Sequence, residues 1–260
     1  MTAHPSHPSP RRTLLAAATA LLGVLGSGAL IAAAFSPDRT PAPQPQGSAS
    51  VTPSAPRPTA DAPAVGTDPA AAPIADLADP AWVARIAQAG NIPERALAAY
   101  AGASFAVART HPGCGLGWNT LAGIGHVESE HGTINGSSLG PDGVASPDIV
   151  GVPLTGQGTA AIRDTDGGIL DGDATWDRAV GPMQFIPQTW AQFARDGNGD
   201  GVTDVQQIDD AALAAAEYLC SSGTDLTQPA NWIAAVQAYN PSVEYNNRVA
   251  DAANHYATLR

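Results

Sequence analysis

Apolar residues are spaced very differently along this chain. A strongly apolar run without charge fills 13–35, large apolar side chains almost vanish over 36–74, and helical spacing begins near Ile74. Asp79-Pro80 supplies an N-cap followed by proline at the first helical position, and the pattern it opens stops at Gly90. That combination predicts a short helix. Apolar residues recurring at three- and four-residue intervals predict further helices over 93–109, 118–132, 188–195, 210–220, 232–239 and 246–259. Residues 133–180 are rich in Gly, Asp and Pro and carry little period, so loops around one hairpin are expected there. An irregular stretch of that length inside a compact domain usually serves function. The expected fold class is therefore mainly α, with α+β character confined to a minor hairpin. Three segments are expected: 1–35, a Pro/Ala-rich linker at 36–74, and a folded body at 75–260.

The first segment is an address rather than a core helix. Arg11-Arg12 precede the run 13–35, which contains no charge. Its length of about 23 residues suits a signal anchor that leaves the N-terminus inside and the remainder outside. Ala32-Ala33-Ala34 would equally suit cleavage of an export signal, and Arg11-Arg12 fits a twin-arginine signal. The linker cannot bury enough surface to offset its ordering entropy and reads as a partly polyproline-II spacer.

Charge narrows the class of partner. All 12 basic residues are Arg against 24 acids, and the net charge is −12. Residues 1–73 carry +1 and the rest −13. An acidic body with no basic patch argues against nucleic acid and against lying on an anionic membrane surface. A monomer is expected, touching the membrane only through its N-terminal segment. Cys114 and Cys220 both fall in the exported body, where an even pair reads most simply as a disulfide, with two buried free thiols as the other reading. Close-spaced ligands for zinc are missing. The six His form no cluster, and His126 and His131, five apart, fall on different faces of a helix.

The third predicted helix carries the candidate chemistry. Leu121, Ile124, Gly125 and Glu128 fall at spacings 0, +3, +4 and +7, with Trp118 beside the same arc. Glu128 therefore points to the apolar face and Glu130 nearly opposite. Desolvation would raise the Glu128 pKa and let it act as a general acid. The other reading is a Glu at a frayed helix end, bonded to a neighbouring loop. Gly123 and Gly125 weaken the helix, so a packing or access requirement is expected.

Three elements follow one another in order: Glu128-Ser129, then AVGPMQFIPQTW containing Gly181 to Phe185, then AVQAYNPS containing Tyr239-Asn240, with Tyr245 five residues on. This series resembles the lytic murein transglycosylases of the goose-type lysozyme-like superfamily, and most of all the B-type enzymes in their actinobacterial form. The resemblance covers roughly 80–258. It implies a lysozyme-like fold that cleaves the β-1,4 bond between N-acetylmuramic acid and N-acetylglucosamine in peptidoglycan glycan strands. It implies Glu128 as the single catalytic acid and then base, with 1,6-anhydro ends as product. It implies substrate-binding roles for Ser129, Gln184, Tyr239, Asn240 and Tyr245, while Met183 and Phe185 read as core. The serine that precedes this element in better-known B-type enzymes has no counterpart in Arg178-Ala179-Val180. A hydrolytic muramidase on the same scaffold, a non-catalytic wall-binding module and a calcium-dependent adhesion domain are the competing readings.

A second motif suggests a metal. Asp196, Asn198 and Asp200 stand at positions 1, 3 and 5 of an EF-hand-like loop, with Gly201 at 6, the Val202 carbonyl at 7 and Asp204 at 9. Position 12 is Gln207, and Asp210 could close the site instead. The B-type resemblance implies a similar loop and favours Asp210, so structural Ca²⁺ is expected. An Asx-turn loop without metal is the other reading. The acidic stretch 164–173 matches no ligand spacing and is expected to serve turn chemistry.

Overall fold

The computed structural model describes residues 72–260. The apolar run 13–35 and the linker up to residue 71 lie outside the described residues. Among those described, a 3-10 turn at Ile74–Leu77 precedes seven α-helices: α1 Pro80–Gly90, α2 Glu94–Thr110, α3 Trp118–Ser129, α4 Pro187–Phe193, α5 Ile208–Cys220, α6 Pro229–Tyr239 and α7 Val243–Tyr256. Local chemistry sets most of their ends. Asp79 accepts the Trp82 amide at 2.8 Å to start α1, and Asn91 closes it in the left-handed conformation. Proline at the first position opens α6 at Pro229, three residues before the apolar period becomes visible. Ser242 accepts the Tyr245 amide and opens α7. Helix α3 ends three residues earlier than its pattern predicts, because Glu130 and His131 adopt φ of 51° and 62°. The His131 amide bonds back to the Gly125 carbonyl at 2.9 Å, which closes the last turn.

Helix α2 is the axis of the core. Ala96, Leu97, Tyr100, Ala103 and Val107, at helical spacing, are fully buried, and α1, α3 and α5 pack around them. Helix α3 lies along α7. Its two glycines explain how. A Cβ on Gly123 would sit 2.8 Å from the Val249 carbonyl of α7, and one on Gly125 would collide with the Tyr100 hydroxyl. Close approach on both sides is thus the reason for two residues that weaken the helix itself. Cys114 and Cys220 form a disulfide 106 residues apart in sequence, tying the lead-in of α3 to the end of α5.

The segment 133–180 is more ordered than its composition predicts. Strands β1 Ser138–Leu139 and β2 Ala145–Ser146 pair antiparallel, as do β3 Val150–Pro153 and β4 Arg178–Val180. Between β3 and β4 the chain runs out into an arm. Its base is tied by Leu154 N–H to the Asp177 carbonyl at 3.0 Å and by Ile162 N–H to the Leu154 carbonyl at 2.9 Å. Bridges join Thr155 to Ala161 and Arg163 to Trp176, and the Arg163 guanidinium lies 3.8 Å above the Trp176 ring. Among the described residues no helix is long and apolar enough to cross a membrane.

Candidate active site

Glu128 sits one residue before the end of α3, half-buried. The Tyr245 hydroxyl, from the first turn of α7, donates to its Oε1 at 2.5 Å. Burial pushes the carboxyl up from 4.5 to about 7, while the Tyr245 hydrogen bond and the positive charge of Arg248 pull it partly back. A cleft of about 650 Å³ opens in front of it. One wall is the arm, through Leu154, Ala160 and Ile162, and the other is the end of α6, through Tyr239 and Asn240. Glu128 is the one carboxylate among the residues that line this cleft.

The floor is a four-residue turn held between paired strands. Val180 and Phe185 exchange both backbone hydrogen bonds, at 2.8 and 2.9 Å, so Gly181 to Gln184 must reverse the chain. Gly181 takes φ of 77° and Gln184 takes 50°, a left-handed conformation that costs a non-glycine residue about 1 kcal/mol or more. The surrounding elements hold that strain. Ser129 Oγ donates to the Pro182 carbonyl at 2.5 Å and the Tyr239 hydroxyl donates to the Met183 carbonyl at 2.7 Å. Gln184 Nε2 donates to the Gly181 carbonyl at 3.0 Å, which leaves its side chain lying on the cleft floor.

The residues expected at the site therefore divide. Glu128, Gln184, Tyr239 and Asn240 line one cleft, and Tyr245 stands behind Glu128. Ser129 is fully buried and also accepts the Gly132 amide at 2.8 Å. It is a brace between α3 and the turn, not a surface for ligand. Asn240 Oδ1 accepts the Ser242 amide at 3.1 Å, so half of its amide is used locally. Met183 is fully buried as expected, and Phe185, 3% exposed, still reaches the cleft edge. Ala179, from the Arg178-Ala179-Val180 stretch that precedes the turn, lines the cleft.

Two expectations about titratable groups need correction. His126 and His131 do not diverge: because α3 stops at Ser129, the His131 ring turns back to within 5.5 Å of the His126 ring. It is buried between the hydroxyls of Tyr256, at 2.9 Å from Nε2, and Tyr100, at 3.4 Å from Nδ1. Burial and neighbouring His126 push it down to about 3. Glu130 lies outside the helix, as its left-handed cap.

The loop 196–204 folds around its own amides. Asp196 accepts the amides of Gly199 and Gly201 at 2.7 and 2.8 Å, and Asp200 accepts that of Val202 at 2.8 Å. Asn198 Nδ2 donates to Asp200 at 2.9 Å, Val202 is an exposed tip, and Asp204 accepts the Gln206 amide at 2.8 Å. Asp210 binds the two ends of the loop together, taking the Gly197 amide at 2.7 Å and the Asp204 amide at 2.8 Å. Burial raises its pKa to about 6, against those amide bonds. Gln207 caps α5 through the Asp210 amide at 3.0 Å. The second acidic stretch shows the expected turn chemistry: Asp164 accepts the Gly167 amide at 2.9 Å and Asp166 that of Gly168 at 2.9 Å. Its folding also gathers Asp164, Asp166 and Asp177 with carboxylate oxygens within 4.8 Å of one another, a cluster that spacing in the sequence does not reveal.

The arm is the part of the site that sequence reasoning missed. The signal was present as two short apolar stretches, 150–154 and 160–162, flanking a Gly-Gln-Gly turn. Their pairing with 176–180 is non-local, and periodicity does not report it.

The described residues form a mainly helical body with one carboxyl in a groove of about 650 Å³. Residues 161–258 match the Transglycosylase SLT domain family, which supports a lytic transglycosylase of the lysozyme-like superfamily. The matched stretch runs from the arm through the Gly181–Gln184 turn to α7 and stops short of α3. Glu128 therefore lies outside the matched stretch. No curated protein and no solved structure matches the chain.

Proposed function

We propose that this chain is an exported peptidoglycan lytic transglycosylase that cleaves the β-1,4 bond between N-acetylmuramic acid and N-acetylglucosamine. The observation that carries the reading is the single carboxyl in the cleft, pushed up to about 7. A protonated Glu128 donates its proton to the glycosidic oxygen as the bond to C1 breaks. The carboxylate left behind faces the positive charge developing at C1. It then takes the proton of the C6 hydroxyl on the same muramoyl residue as that oxygen attacks C1, and a 1,6-anhydro ring closes. Two-carboxylate glycosidases place a second acid about 5–9.5 Å away to make or activate a nucleophile. An internal hydroxyl removes that need and gains from proximity.

In this reading Gln184 and Asn240 hold the sugar N-acetyl groups, Tyr239 supports a ring, and Tyr245 fixes the Glu128 carboxyl. Ser129 keeps the floor in place from beneath. The enzyme works as a monomer outside the cytoplasm, reached through an anchor or a cleaved signal at 1–35. We also propose a structural Ca²⁺ in the loop of Asp196, Asn198, Asp200, Val202, Asp204 and Asp210. All of its donors are oxygen, the class this ion takes. Terbium luminescence or calorimetry on the intact protein, with Asp200→Asn as control, reads that binding directly; no heat and no luminescence would leave the loop to its Asx turns.

The activity is tested by digesting purified peptidoglycan and weighing the fragments. Anhydro-ended muropeptides from wild type, absent with Glu128→Gln, are expected. Fragments one water heavier would make the protein a muramidase. Retention on insoluble wall by both proteins, with no fragments at all, would make it a binding module.

A further inference from the structure

Helix α7 meets the cleft along one flank. Its cap Ser242 lines the cleft, Tyr245 holds Glu128, and Asn246, Val249, Ala250 and Ala253 are 0% exposed on its inner face. At 100° per residue Arg248 falls on Tyr245's side of the helix, about 60° further out toward solvent. Its side chain is exposed, and among the described residues it makes no hydrogen bond or ion pair. Arg95, Arg178 and Arg195, by contrast, are each paired with an acid. In a body of charge −13 an exposed cation without an ion-pair partner, near enough for its charge to act on Glu128, stands out.

The substrate offers that cation a partner. The sugars of a peptidoglycan strand are neutral apart from what hangs on the muramoyl residue: its lactyl ether carries a stem peptide bearing carboxylates. The muramoyl residue is also the one whose C1 would react at Glu128. Its stem must therefore leave the ring close to Glu128, the carboxyl that Tyr245 holds and that the charge of Arg248 reaches from the exposed side of α7. We propose that Arg248 binds a carboxylate of the stem peptide on the muramoyl residue being cleaved, and so makes the protein selective for peptide-bearing strands. This inference rests on the transglycosylase reading given above. A guanidinium suits the task because its planar fork can take a carboxylate with two hydrogen bonds.

The test compares two forms of one substrate: soluble, uncross-linked peptidoglycan strands with native stems, and the same strands with the stem carboxylates converted to methylamides by carbodiimide. Glycan and peptide length are equal in the two, and only the charge differs. Wild type is expected to show a kcat/KM more than threefold higher on native strands, with the difference in KM. Arg248→Gln is expected to bring that ratio below threefold and Arg248→Lys to restore part of it, with cooperative unfolding of each variant checked beforehand. A wild type with no such preference, or an Arg248→Gln protein that keeps it while the alkaline limb of its pH profile moves, would overturn the proposal. In the second case Arg248 acts only on Glu128. If wild type cleaves neither substrate, the transglycosylase reading fails. Cleavage of both without preference removes only the role of Arg248.

Discussion

Replacing Glu128 by Gln should make the protein more stable, and more so the higher the pH. In the folded protein the carboxyl keeps its proton up to about 7, whereas the unfolded chain releases it near the ordinary value of 4.5. Between those limits the folded state binds more protons than the unfolded state. Stability therefore falls as pH rises through that window, because the slope follows the protons bound in the unfolded state minus those in the folded. At about 1.4 kcal/mol per pH unit, the full interval would be worth about 3 kcal/mol. The side chain is half-buried and not sealed off, so screening reduces this to about 1–3 kcal/mol. The substituted glutamine does not titrate, fits the same volume, and still offers an oxygen to the Tyr245 hydroxyl. Urea unfolding of wild type and Glu128→Gln at pH 4.5 and pH 8 isolates the effect as a double difference, since every other group titrates alike in both. The expected result is a variant whose advantage grows by about 1–3 kcal/mol between the two pH values. An advantage that stays constant within about 0.5 kcal/mol would mean that the carboxyl is not held desolvated, and the acid–base assignment would lose its physical basis.

Three further outcomes follow from the same contacts. Tyr245→Phe removes a hydrogen bond that favours the ionised Glu128, so the alkaline limb of kcat/KM should move up in pH, with a fall in kcat of about 10-fold or more from lost positioning; an unmoved limb would separate Tyr245 from the acid. Cys114→Ala with Cys220→Ala should cost about 4–5 kcal/mol in urea unfolding, the loop-closure estimate for a bridge spanning about 100 residues, and a loss below about 1 kcal/mol would contradict it. His131 is pushed down to about 3 from 6.5, so the unfolded chain takes up a proton first as pH falls and stability should drop from about pH 6.5 toward 3; His131→Gln should flatten that part of the stability–pH curve.

Helix starts were largely legible because they are local: Asp79-Pro80 carries its cap and its proline in consecutive residues. The face occupied by Glu128 was legible too, since a wheel needs only spacing. What spacing could not supply was the end of α3. Glu130 and His131 are not residues that announce a left-handed stop, and they adopt one because His131 gains a buried place between Tyr100 and Tyr256. That gain is tertiary and has no sequence period. The arm was hidden for the same reason, as its ladder joins Leu154 to Asp177 across residues of turn-like composition. The acidic cluster of Asp164, Asp166 and Asp177 likewise exists only once that ladder has formed.

Two sets of tertiary contacts bear on one point, the position of Glu128. On one side of α3, Gly125 admits the Tyr100 hydroxyl, and Tyr100 and Tyr256 hold the His131 ring that ends the helix. On the other side, Ser129 and Tyr239 fix successive carbonyls of the strained Gly181–Gln184 turn that floors the cleft. Glu128 is the residue before Ser129, so neither its height along the helix nor its depth in the cleft can change without breaking one of these sets. A desolvated carboxyl loses its raised pKa as soon as a shift of this kind admits water. The cost of strain at Gln184, and of two glycines in α3, is then offset where it matters, in a proton held until a sugar oxygen can take it.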